Sequence, residues 1–201
     1  MNNNQQDIKW SENVILVDAD YVDKVAFNLI VNFERMLGRR IPQADMARWL
    51  ECIALDGGLR NGNHETQVVF IHQKTKTKME NFVPGNYANE LTGKAFQGEL
   101  GEFLLNAYAI EAIADSEDLL IEALKFICQQ KEVKRMMIIP NAEDHIIYNK
   151  VRETLRQVND EEKHITVFSM QPMTGGNFRQ EILGYSLMAA LGIRGNEIKT
   201  E

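Results

Sequence analysis

Short apolar runs alternate along the chain with longer stretches in which apolar residues return every three or four positions. The first run, Val14, Ile15, Leu16 and Val17, ends in Asp18, Ala19 and Asp20. Consecutive aliphatic residues, mostly branched at Cβ, predict a strand buried on both faces, as in a parallel sheet. The signature recurs at 67–72, 135–140 and 165–169. Residues 103–110 fit either a strand or a helix start; they are read as the third of five strands because a clear helical pattern follows.

Helical spacing fills the intervals. Val22, Val25, Ala26, Leu29, Ile30, Phe33, Met36 and Leu37 share one face, with Gly38 as the C-cap. Met46, Trp49, Leu50, Ile53 and Ala54 line a second helix, opened near Pro42 and stopped by Gly57 and Gly58. A third helix follows Asp115, Ser116, Glu117 and Asp118, and a fourth covers 146–157. The last, 178–191, is apolar nearly all round, so it is either buried or part of a subunit contact, which would make a homodimer. Residues 59–66 read as a polar loop. Residues 73–101 are irregular, and their alternation Lys74, Thr75, Lys76, Thr77, Lys78 suits a charged edge strand or a solvated loop. Residues 1–12 read as a flexible tail and 13–201 as one domain. Strands alternating with helices predict an α/β fold, a three-layer α/β/α sandwich on a mostly parallel five-stranded sheet.

Composition narrows the function. The 201 residues carry a formal net charge of −7, which argues against sequence-independent coating of nucleic acid but leaves room for a local basic patch. No apolar run reaches the length of a membrane span, so no membrane association is expected. The first residues lack the basic region and apolar core of an export signal. Cys52 and Cys128 lie far apart within helical patterns and are expected as reduced thiols. Together these features predict a cytoplasmic protein.

The candidate chemistry is carboxylate chemistry. In open α/β sheets ligands bind beyond the carboxyl ends of the strands. Acids stand at that edge after three of the expected strands: Asp18 and Asp20, then Asp115 and Asp118, then Glu143 and Asp144. Each acid alone could merely cap its helix. Gathered on one rim they would repel one another, and a divalent cation such as magnesium would relieve the conflict. Lys74, Lys76 and Lys78 are candidates for contacting phosphates, with Tyr87 and Phe96 interleaved and available for base stacking. His72, ending the second strand, is read as structural.

This order of elements and acids resembles the PIN-like nucleases, most closely the NYN branch. The resemblance rests on Asp18-Ala19-Asp20-Tyr21, on Asp115-Ser116-Glu117-Asp118 with the aliphatic run after it, and on Pro140-Asn141-Ala142-Glu143-Asp144-His145, and spans residues 14–169. The chain departs from the family pattern at Tyr21, where Asn is usual, and at Ala142, where an acid is usual. The resemblance implies a ribonuclease that cuts RNA with Mg2+ or Mn2+. Asp18, Asp118 and Asp144 would hold the ion, Asp20 would orient the attacking water, and Lys74, Lys76 or Lys78 would meet the phosphates. Two other readings stay open. The opening Asp18-Ala19-Asp20 also resembles haloacid dehalogenase-like phosphatases, with Asp18 as nucleophile, although His72 stands where that family has Ser or Thr. The third is a non-catalytic α/β interaction module.

Overall fold

The computed structural model describes residues 9–111, 116–158 and 161–198, and the side chains of all of these except 116–118. The first apolar run forms β1 (Asn13–Asp18), the centre of a seven-stranded sheet. Beside it lie β3 (His64–Gln73) and β7 (Arg135–Ile139), both parallel to it. β6 (Gly101–Ile110) continues the sheet beyond β3, and β8 (His164–Ser169) beyond β7. Val14, Ile15, Leu16 and Val17 are fully buried, with Ile15 and Val17 in one core and Val14 and Leu16 in the other. This is the two-faced burial that an unbroken apolar run demands.

Two helices follow β1. Asp18 caps α1 (Ala19–Leu37) by accepting from the Tyr21 N–H at 3.1 Å, and Gly38 ends it at φ 64°. α2 (Met46–Asp56) starts at Asp45, whose carboxylate accepts from the Arg48 N–H at 3.1 Å. The expected start near Pro42 is therefore corrected: residues 41–43 are not helical, and β2 (Ala44–Asp45) pairs with β4 (Phe82–Val83). α1, α2 and a last helix, α5 (Leu183–Ala190), contribute to one core. α3 (Ser116–Cys128) and α4 (His145–Arg156) contribute to the other.

The sheet has seven strands rather than five, for two reasons. β5 (Lys94–Gly98) pairs antiparallel with β6 at one edge. β9 (Arg179–Ile182) pairs with β8 at the other, taking the first part of the expected final helix. Arg179, Gln180 and Glu181 carry no apolar helical stripe, so nothing in them opposes pairing with the free edge of β8. α5 itself is buried: Leu183 and Leu187 enter the core, and the Trp49 indole of α2 donates to the Ser186 hydroxyl at 3.2 Å. Most of its apolar residues are thus covered within the chain, while Tyr185 is 72% exposed.

Of the two readings of 74–78, the solvated loop is the one found: residues 74–78 are exposed, in a turn closed by the Lys76 N–H on the Gln73 carbonyl. Beyond it the chain crosses from β3 to β6 without a helix of ordinary pitch. It sends Met79, Phe82, Tyr87 and Leu91 into the α1 and α2 core and includes a π-helical turn, Tyr87–Leu91. Asp23 of α1 pins this excursion, accepting from the Glu80 N–H at 3.1 Å and the Asn81 N–H at 2.8 Å. The predicted polar loop at 59–66 is shorter than expected, because β3 already begins at His64. Of the segment expected as a tail, residues 9–12 are tied down. Ser11 bonds Gln67 and Glu65, and Trp10 meets Phe126 edge-on at 6.1 Å. No helix among the described residues is long and apolar enough to cross a membrane, and Cys52 and Cys128 are free thiols.

Candidate functional site at the carboxyl edge of the central strands

Strand order β6-β3-β1-β7-β8 makes the chain turn to opposite sides of β1, and a crevice opens where the connections diverge. The strand ends are level there: Asp18 registers with Ile71 of β3, and Val17 with Ile139 of β7. The crevice is a cavity of about 650 Å3. Asp18, Asp20, Tyr21, Lys24 and Asn28 line it from α1 and its cap, Gln73 and Lys76 from the end of β3, and Asn141, Glu143 and Asp144 from the turn after β7.

Asp18 and Asp20 reach this cavity differently from what the strand pattern implied. Extended geometry stops at Asp18, and Asp20 already belongs to the first helical turn. Asp20 Oδ2 accepts from the Gln73 N–H at 2.8 Å, tying α1 to β3. Its other oxygen, Oδ1, is buried without a hydrogen-bond partner. A buried carboxylate oxygen in that state carries a desolvation cost that a ligand or water would offset.

Tyr21 is 7% exposed, and its hydroxyl is likewise buried without a well-formed hydrogen bond. Burial raises the phenol above its ordinary pKa, and the nearby carboxylates of Glu143 and Asp18 add to the shift. Tyr21 thus puts a neutral phenol into the cavity beside Glu143. Tyr87 is a second phenol of this kind. It is 3% exposed, stacked on His72 with centroids 3.6 Å apart, and its unpartnered hydroxyl is raised in pKa by burial and by the charges of Asp20, Asp23 and Asp18. His72 itself is buried in that stack and its Nδ1 meets the Gln73 carbonyl at 2.9 Å, in keeping with a structural role.

Asp144 Oδ1 caps α4, accepting from the N–H groups of Ile146 at 2.8 Å and Ile147 at 3.3 Å. Ala142 is 1% exposed and packs in the α3 and α4 core, so that position faces away from solvent. The exposed Glu143 beside it lines the cavity instead. Asp115 lies outside the described residues. Asp118 stands in the first turn of α3, and its side chain is outside them too. Among the described residues no group of three His, Cys, Asp or Glu is placed to hold a metal ion.

The three candidate lysines separate. Lys74 pairs with Glu111, and Lys78 with Glu80 at 3.2 Å. Lys76 lines the cavity with no ion-pair partner among the described residues. Sequence reasoning missed Tyr21, Lys24 and Asn28 as cavity residues. Their signal was present, since positions 21, 24 and 28 recur at the spacing of one helical face starting from the Asp18 cap.

No curated protein and no solved structure matches the chain. A protein-family model matches residues 7–198, and by that match the chain belongs to DUF6621, a family of unknown function.

Proposed function

We propose that the protein is a divalent-metal-dependent ribonuclease and that the cavity at the ends of β1, β3 and β7 is its working site. The observation that carries the reading is the meeting of acids from two distant segments, Asp18 and Asp20 with Glu143 and Asp144, in one cavity that also has Lys24 and Lys76 on its wall. Lys76 and Lys24 hold the RNA phosphate by charge. Asp20, fixed through Oδ2 by the Gln73 N–H, uses its unpartnered Oδ1 to orient the attacking water and accept its proton. The neutral Tyr21 phenol donates to a phosphate oxygen. Asp18, Asp144 and Asp118 are the residues for a Mg2+ or Mn2+ ion, which when bound supplies positive charge to the phosphoryl group.

The test is incubation of end-labelled single-stranded RNA with the purified chain and Mn2+ or Mg2+. Cleavage is expected, abolished by EDTA and reduced on the order of 100-fold or more in Asp18→Asn and Asp20→Asn. A folded protein that leaves RNA intact at saturating metal contradicts the reading, as does cleavage that both variants retain in full.

A second reading has its own observation. Asp18 and Asp144 each cap a helix, so both have a structural use without any ion. A chain that neither cleaves RNA nor binds a divalent ion would be a non-catalytic interaction module. A phosphoaspartate trapped on Asp18 would instead place it with the phosphatases.

A further inference from the structure

A second cavity, of about 500 Å3, adjoins the acidic one. We propose that it is a nucleobase-binding subsite, taking the base of the nucleotide whose phosphate meets Lys76. The proposal rests on reading the acidic cavity as an RNA site.

Its volume lies in the range of small-molecule pockets. One wall is the end of β6, where Ala107 and Ala109, two apart, share a face. Ala88 lines it as well, so three of its side chains are single methyl groups. Its back is rigid, because the His72 and Tyr87 rings stack at 3.6 Å and within 8° of parallel. Tyr87 is nine-tenths buried and more, with an unpartnered hydroxyl.

Lys74, Lys76, Thr77 and Thr92 also line the cavity, and two amides, Asn86 and Asn89, stand among them. Asn86 Oδ1 accepts from the Asn89 N–H at 2.9 Å, which fixes that side chain and leaves its NH2 group to donate. The Asn89 side chain offers one carbonyl and one NH2 beside it. Paired amide donors and acceptors match the edge of a base. No residue lining this cavity is acidic, whereas its neighbour is lined by Asp18, Asp20, Glu143 and Asp144. The chemistry therefore divides: a flat, uncharged heteroaromatic ring fits here, and the charged reaction centre lies next door. Lys76 lines both cavities and stands where a phosphate joining the two would pass.

The test is binding of AMP, CMP, GMP and UMP to the full chain in EDTA, where no cleavage interferes, with ribose 5-phosphate as the base-free control. Backbone amide shifts of 15N-labelled protein report the site. At least one nucleotide is expected to bind tighter than ribose 5-phosphate and to shift Ala88, Asn89 and Ala109. Ala109→Phe, which fills the cavity from an exposed position, is expected to weaken that nucleotide about tenfold, and Asn89→Ala about fivefold. Neither variant should alter Tm or the affinity for ribose 5-phosphate. Nucleotides that bind no better than ribose 5-phosphate overturn the proposal, as does an Ala109→Phe variant that binds them as the parent does. RNA cleavage that proceeds at the parental rate in Ala109→Phe also overturns the subsite while leaving the nuclease reading intact. Nucleotide binding lost in Ala109→Phe, in a chain that cuts no RNA, upholds the subsite and removes the nuclease.

Discussion

Tyr87 hides a hydroxyl that makes no hydrogen bond, stacked under His72 and close to three carboxylates. An orphaned buried hydroxyl costs the folded state about 1–3 kcal/mol. Tyr87→Phe removes that cost and breaks no bond, so urea unfolding of the ligand-free variant is expected to show a gain of about 1 kcal/mol. A loss of that size would mean the hydroxyl is already satisfied. Asp23 gives the opposite case. It is 8% exposed and accepts from two backbone N–H groups of the excursion between β3 and β6. Asp23→Ala leaves both donors stranded and is expected to cost about 3 kcal/mol. Hydrogen exchange should quicken first at residues 79–91. Unchanged protection there would contradict the pinning role. The burial of neither residue could be read from the sequence. Asp23 reads as one more polar position on an amphipathic helix, and Tyr87 as part of an irregular stretch, because their partners come from distant segments.

At the scale of elements, the strand ends and helix caps decide where the acids sit. Asp18 is both the last residue of β1 and the cap of α1, so a test of its charge must spare the cap. Asn caps as well as Asp, so Asp18→Asn is expected to change Tm by no more than a few degrees while removing the charge. Large unfolding would show that Asp18 is needed for the fold itself. The start of β6 is stricter. Gly101 has φ +109°, and a Cβ there would lie 1.9 Å from the His64 carbonyl oxygen. Gly101→Ala is expected to destabilise by about 3 kcal/mol or more, read by thermal melting, and to loosen β5 along with β6. The apolar runs of β1, β3, β7 and β8 were legible because burial on both faces leaves few polar positions, whereas β6 mixes buried with exposed residues and read equally as a helix start. β5 and β9 were not legible. Lys94 to Gly98 and Arg179 to Ile182 are mostly polar edge strands, held by pairing to a neighbour and, in β5, by the Phe96 ring stacked on Phe103.

For the whole molecule, the β1 crevice and the cavity beside it hold three of the buried polar atoms that lack partners among the described residues: Asp20 Oδ1 and the Tyr21 hydroxyl at the crevice, and the Tyr87 hydroxyl at its neighbour. The two phenols have a pH consequence. Burial, then neighbouring carboxylates, raise both above the ordinary tyrosine value. Above about pH 10 the unfolded chain ionises them first, so the folded state binds more protons and stability falls as pH rises. Tyrosinate absorbance from these residues should appear together with alkaline loss of circular dichroism. Ionisation of every tyrosine with the fold intact would contradict their burial. The convergence of Asp18, Asp20 and Asp144 on one crevice was legible, because strand order follows from short right-handed connections. That Glu143 rather than residue 142 faces the crevice, and Lys76 rather than Lys74 or Lys78, was not, since each turns on which way a loop residue faces.

The most direct measurement is a titration of Mn2+ into the parent chain and into Asp18→Asn, Asp118→Asn and Asp144→Asn, followed by the relaxation of water protons. The account predicts one site in the parent, weakened about tenfold or more in each variant while all remain folded. A parent chain that takes up no Mn2+, or variants that bind it as the parent does, would contradict it.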